Sequence, residues 1–167
     1  MTLSEFNGLD NGMAEEELLK CCGSTKWART MARARPLHDW KEIEATADAV
    51  WRELGRREFM EAFAHHLRIG DINNMEEKCV TLKNWGAAEQ RGINGANEKT
   101  LKELAQANLL YEEKFGYIFI VCATEKSADE MLLLLRKRLK NNAETELQVA
   151  MEEQMKITLI RLRKILL

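Results

Sequence analysis

Proline is nearly missing from this chain, which has Pro36 and no other among its 167 residues. The ring that most readily breaks a helix therefore acts at one place, and obligatory breaks are few. Cysteine is sparse too: Cys21, Cys22, Cys79 and Cys122 lack the C-x-x-C spacing of a zinc site, and the adjacent pair cannot easily close a relaxed mutual disulfide. Reduced thiols are expected. No apolar run reaches the length of a membrane span, and residues 1–6 have neither a basic opening nor a long apolar stretch. An excess of one charge is missing as well: 25 Lys and Arg against 27 Asp and Glu leave a formal net charge of −2. That gives no broad positive field for nucleic acid, whereas a small polar or anionic metabolite needs only a local basic patch. The chain closes Lys164-Ile165-Leu166-Leu167, which is not the peroxisomal tripeptide. A cytoplasmic protein with no membrane or nucleic-acid partner is expected.

What is present is ordinary for a globular chain, with 46% hydrophobic and 31% charged residues, and its length suits one domain over residues 1–167 with a sizeable core. Apolar residues recur at helical rather than alternating spacing, so the expected fold is all-α, a single compact bundle of about eight to nine helices. Helices are predicted over 13–22 and 25–34, divided by Gly23 and the N-cap Ser24, with Pro36 closing the second. Asp39-Trp40-Lys41-Glu42 reads as a capping-box start to a helix burying Ile43, Ala47, Val50, Trp51 and Leu54, and 56–65 follows as another. Residues 76–91 read as helix and 92–97 as loop. Leu101, Leu104, Ala105, Leu109, Leu110 and Tyr111 mark a helix ending near Gly116. Residues 117–122 are continuously apolar, rich in β-branched and aromatic side chains, and lack a partner strand, which predicts a short buried extended segment. Ser127-Ala128-Asp129-Glu130 is a second capping box, and a last long helix from about Thr145 carries Leu147, Met151, Met155, Thr158, Leu162 and Ile165 along one face.

Chemistry concentrates where adjacent histidines meet a basic residue and a glycine at the end of a helical pattern, Phe63-Ala64-His65-His66-Leu67-Arg68-Ile69-Gly70-Asp71. Imidazole titrates near neutrality, and a helix end followed by glycine opens backbone as well as side chains to a ligand. With Trp85-Gly86-Ala87-Ala88-Glu89-Gln90, this block resembles the signature of the 2-oxo-4-hydroxy-4-carboxy-5-ureidoimidazoline (OHCU) decarboxylases. The likeness spans nearly the whole chain. Phe6-Asn7-Gly8-Leu9-Asp10, Cys21-Cys22-Gly23-Ser24, Trp27, Met31 and Arg35-Pro36 are similar to the family's opening block. Asn108, Tyr111-Glu112, residues 114–123 and Lys126-Ser127-Ala128-Asp129-Glu130-Met131-Leu132 resemble its central signature, and Glu153-Gln154-Met155-Lys156-Ile157-Thr158 with Arg161-Leu162 its closing helix. Leu67 stands where the family has proline, Gly86 where serine is usual and Glu125 where glycine is common.

The resemblance implies cofactor-independent decarboxylation of OHCU to (S)-allantoin in urate catabolism, on a homodimeric scaffold. The register set by Ile69-Gly70 makes His66 the catalytic histidine and His65 its neighbour. His66 would be the acid/base and Glu89 its orienting partner, while Arg161 offers a planar fork to a carboxylate or carbonyl oxygen. Substrate contacts fall on Leu67, Gly86, Ala87, Ala88, Gln90, Phe119, Ile120, Val121, Cys122, Ala123 and Arg161. The run from Phe119 to Ala123 would meet a cyclic amide with backbone N–H and C=O. The expected partner is a cyclic ureide carboxylate, with no metal and no cofactor, because the imine of the substrate accepts the electrons left by carbon dioxide.

Without the family register, bland readings compete. Two histidines at a helix C-terminus complement its dipole. Glu89 and Arg161 are each one of many charged helix residues, and Cys21 and Cys22 read as inert buried thiols. A zinc site from His38, His65, His66 and cysteines has no ligand pair at an established spacing. Two alternatives stay open: a helical interaction module weakened in catalysis through Leu67 and Gly86, and a decarboxylase of a related cyclic ureide acid.

Overall fold

The structure, a computed structural model, describes residues 1–66, 98–124 and 126–166. Among the described residues there are eight α-helices and no strand: α1 (Leu3–Gly8), α2 (Asn11–Cys22), α3 (Thr25–Arg33), α4 (Trp40–Arg52), α5 (Arg56–Ala64), α6 (Glu98–Phe115), α7 (Ala128–Arg138) and α8 (Ala143–Leu166). The all-α expectation holds. The helix predicted over 76–91 and the loop over 92–97 lie outside the described residues. The chain divides into two compact units, Met1–Ala62 with Gln154–Leu167, and Phe63–Glu153.

In the first unit, local chemistry sets each helix end. Asp10 caps α2 by accepting from Met13 N–H, and Gly23 ends it at φ 83°, a left-handed conformation that glycine adopts without a Cβ penalty. Ser24 then caps α3. Asp39 caps α4, but the expected reciprocal box is displaced: Glu42 reaches back to the N–H of His38 at 2.6 Å, one residue before the cap. The short α1 carries a complete capping box from Thr2 and Glu5, yet buries only Phe6, too little apolar periodicity to read in advance. Arg35 fastens this opening segment by donating to the carbonyls of Phe6 at 2.7 Å and Leu9 at 2.8 Å. Trp27, wholly buried on α3, donates its indole N–H to the Ala47 carbonyl of α4 at 3.1 Å. The α4 face is as expected, with Ile43, Ala47, Val50 and Trp51 buried.

The second unit is built around Tyr111 of α6, whose ring meets those of Phe115, Tyr117 and Phe119 at centroid distances of 4.7, 5.9 and 5.3 Å. The buried line of α6 runs through Leu104, Ala107, Asn108, Tyr111 and Phe115, while Leu109 and Leu110 are 60% and 57% exposed, so part of the predicted stripe faces outward. Beyond Gly116, at φ 80°, residues 117–123 form neither helix nor strand and are buried except for half-buried Ile118. The full Ser127 and Glu130 capping box opens α7 as predicted.

The last helix departs most from expectation. Its buried positions are Glu146, Ala150, Gln154, Met155, Ile157, Thr158, Arg161, Leu162 and Leu166, whereas Leu147 and Met151 are half-buried. An apolar stripe was expected, but polar side chains take much of the inner line because each has partners there. In the second unit, Arg138 of α7 donates to the Glu146 carboxylate from Nε at 2.7 Å, Asn141 adds a bond at 2.8 Å, and the Tyr111 hydroxyl donates to the same carboxylate. Removing one member leaves a charge in a dry interior. Arg138→Met should therefore cost about 3–5 kcal/mol of stability, and adding Glu146→Leu should restore part of the loss. Urea denaturation of the single and double variants measures both quantities, and a single-variant loss under about 1 kcal/mol would contradict the assignment.

Candidate active site

His66 lies just past the C-terminal end of α5, in a turn where its N–H donates to the Phe63 carbonyl at 3.1 Å. It is 9% exposed, and its neighbour His65 is half-buried. Phe63, at the same helix end, packs its ring on Tyr117 at 5.1 Å, so the histidine turn and the start of the run 117–123 are tied to one aromatic cluster in the second unit. Adjacent in sequence, the two histidines thus differ in burial.

The run itself is held by charged side chains acting on its backbone. Arg138 Nη1 donates to the Ile120 carbonyl at 2.7 Å, and its guanidinium lies 4.6 Å from the centre of the Phe119 ring. Cys122 N–H donates to the Glu153 carboxylate at 2.7 Å, while the Lys126 ammonium donates to the Cys122 carbonyl at 2.7 Å. The Ala123 carbonyl accepts from Lys126 N–H at 3.1 Å. Of the predicted contact residues, Phe119, Ile120, Val121, Cys122 and Ala123 are therefore together and buried. Leu67, Gly86, Ala87, Ala88, Glu89 and Gln90 lie outside the described residues.

Arg161 belongs to the first unit, where it is 3% exposed on α8 and its Nη1 donates to the Cys21 carbonyl at 3.3 Å. About two turns earlier, Gln154 donates to the Cys22 carbonyl at 3.3 Å and to the Thr158 hydroxyl at 3.2 Å. The last carbonyls of α2 have no acceptor role inside their own helix, and these α8 side chains satisfy them. Burial pushes the thiols of Cys21 and Cys22 up to about 12, so both stay protonated and neither is a nucleophile at neutral pH. Among the described residues no three His, Cys, Asp or Glu side chains converge as metal ligands do.

Sequence reasoning gave no role to Arg138, Lys126 or Glu153. Arg138 sits in the charged run Arg136-Lys137-Arg138 at the end of a helix, where solvation is the usual fate, and only its i+8 relation to Glu146 hints otherwise. Lys126 and Glu153 stand inside matching motif blocks and carried no separate signal.

The family model for OHCU decarboxylase matches residues 7–163. The chain belongs to the OHCU decarboxylase family. Within curated relatives, it is 33% identical over 153 residues to the uric acid degradation bifunctional protein TTL of Arabidopsis thaliana, covering 92% of this chain and 47% of that protein. It is 31% identical over 93 residues to the 2-oxo-4-hydroxy-4-carboxy-5-ureidoimidazoline decarboxylase of Amia calva, covering 56% and 53%. The chain thus spans about half the length of these relatives. A crystal structure of an OHCU decarboxylase in the presence of (S)-allantoin superposes with a TM-score of 0.77 at 35% identity, covering 90% of this chain and 96% of that one. The crystal structure of an (S)-allantoin synthase, at 15% identity and a TM-score of 0.75, shares the fold.

In this family member the two α2 thiols also set an alkaline limit. Their folded values lie above the ordinary value of 9.0, so between about 9 and about 12 the folded chain binds more protons than the unfolded one. Stability should fall as pH rises through that window, by up to about 1.4 kcal/mol per pH unit for each thiol. Denaturation midpoints of the wild type and of Cys21→Ala/Cys22→Ala between pH 8 and 11 check this, the variant being expected to decline less steeply.

Proposed function

We propose that this protein decarboxylates OHCU to (S)-allantoin in urate degradation, without a cofactor, and that residues 1–167 act as one domain. The observation that carries the reading is the 35% identity to an OHCU decarboxylase structure over 96% of that chain. The carboxylate leaves as carbon dioxide, its electron pair forms a double bond to the neighbouring ring carbon, and the imine pair moves onto the ring nitrogen, which takes a proton. The enol then loses its hydroxyl proton while the neighbouring carbon gains one on a single face, which fixes the product's handedness. Protein groups supply orientation and proton transfer.

His66 is the acid/base in this reading, and its burial beside a half-buried His65 supports that choice. Glu89 orients it. Arg161 binds a carboxylate or carbonyl oxygen, Leu67, Gly86, Ala87, Ala88 and Gln90 line the substrate, and the backbone of residues 119–123 meets the ring amide. The protein works as a homodimer in the cytoplasm, and the outward leucines of α6 offer apolar surface for association. No described helix is long and apolar enough to cross a membrane.

Generating OHCU in place from urate with the two preceding enzymes and following its ultraviolet decay tests the activity. Added protein should speed the decay after chelator treatment and give optically active allantoin; racemic product at the spontaneous rate would sink the reading. His66→Ala should lower turnover by at least about a hundredfold with the fold intact, and His65→Ala by much less. Equal losses from both variants would place the acid/base elsewhere.

A further inference from the structure

Peptide planarity turns three side-chain bonds into a statement about the opposite edge of the run. In a trans peptide the C=O of one residue and the N–H of the next point in opposite directions. Arg138 holds the Ile120 carbonyl, so the Val121 N–H is aimed away from Arg138. Glu153 holds the Cys122 N–H, so the Val121 carbonyl is aimed away from Glu153. Lys126 holds the Cys122 carbonyl, so the Ala123 N–H is aimed away from Lys126. In chain order those three groups are donor, acceptor and donor, each pointing away from the side chain that holds its peptide, and none of them bonds to another described residue.

We propose that Lys126 and Glu153 are positioning residues, which pin the two peptide groups flanking Cys122 so that Val121 and Ala123 offer a preformed donor, acceptor, donor edge to the substrate ring. The inference rests on the decarboxylase reading of residues 119–123 as substrate contacts. A row of that kind complements an oxygen, N–H, oxygen edge, and the 2-oxo group, the intervening ring N–H and the 4-oxygen of OHCU make one. The charges also strengthen the row. An anion accepting from Cys122 N–H enriches the Val121 oxygen, and a cation on the Cys122 oxygen polarises the Ala123 N–H, since bonds in a chain reinforce one another in a low dielectric. Charge-assisted bonds at 2.7 Å suit that task. An unpinned segment would have to order itself at the moment of binding.

Because the ring is gripped alike in ground and transition states, the loss should fall on KM rather than kcat. Lys126→Met, at a half-buried position, should raise KM about tenfold and change kcat by less than about threefold. Lys126→Arg should recover most of the loss. Glu153→Leu should act in the same direction, and Glu153→Gln, which keeps an acceptor for Cys122 N–H, should be milder. Circular dichroism and thermal melting verify folding, and if Glu153→Leu does not fold, the Lys126 pair alone decides. An active wild type with an unmoved KM in folded Lys126→Met, or a fall in kcat that arginine does not rescue, overturns the positioning role alone. An inactive wild type overturns the decarboxylase reading and this inference with it.

Discussion

A carboxylate buried without water must be answered by a cation and by hydrogen bonds, and Glu146, fully buried, imposes that requirement on the second unit. Arg138 answers the charge, Asn141 and Tyr111 fill remaining lone pairs, and the same guanidinium reaches the Ile120 carbonyl. Burial raises the Tyr111 hydroxyl far above its ordinary value, so it stays a donor to Glu146. The rings of Tyr111 and Phe119 lie beside the guanidinium, at 5.9 and 4.6 Å from its carbon. A single ion pair thus links α6, α7, α8 and a buried stretch that has no sheet to satisfy its backbone.

That stretch shows how irregular backbone is kept inside the second unit. Buried irregular backbone is costly unless its N–H and C=O groups find partners, and here three of them find charged side chains. A strand in a sheet would spend both edges on neighbours. Here side chains take that part instead, and the Val121 N–H and C=O and the Ala123 N–H make no bond to another described residue.

Much of this was legible in the sequence because it is local chemistry. Gly23 with Ser24, Asp39 and the Ser127 box declare helix ends within four residues, and the α4 stripe declares its face by spacing alone. The apolar run after Gly116 announced burial. What was illegible depends on partners far along the chain. The inner line of α8 could not be read from hydrophobicity, since Glu146, Gln154, Thr158 and Arg161 are buried by virtue of carbonyls and a guanidinium on other helices. Leu109 and Leu110 fit the helical period and still face outward, because the aromatic cluster at Tyr111 selects the other side of α6. The histidine turn stands out by its motif, whereas the bonds of Lys126 and Glu153 to the Cys122 backbone appear only in the geometry.

The two adjacent thiols at the end of α2 have a use of a different kind. Each is wholly buried and held as the unreactive thiol, beneath carbonyls that Arg161 and Gln154 clasp. A thiol-directed alkylating reagent can reach them only when that helix end comes away from α8, so their labelling rate is a clock for the opening of this clasp. Read alongside global unfolding, that clock separates a helix end that frays by itself from one that lets go only when the whole unit does.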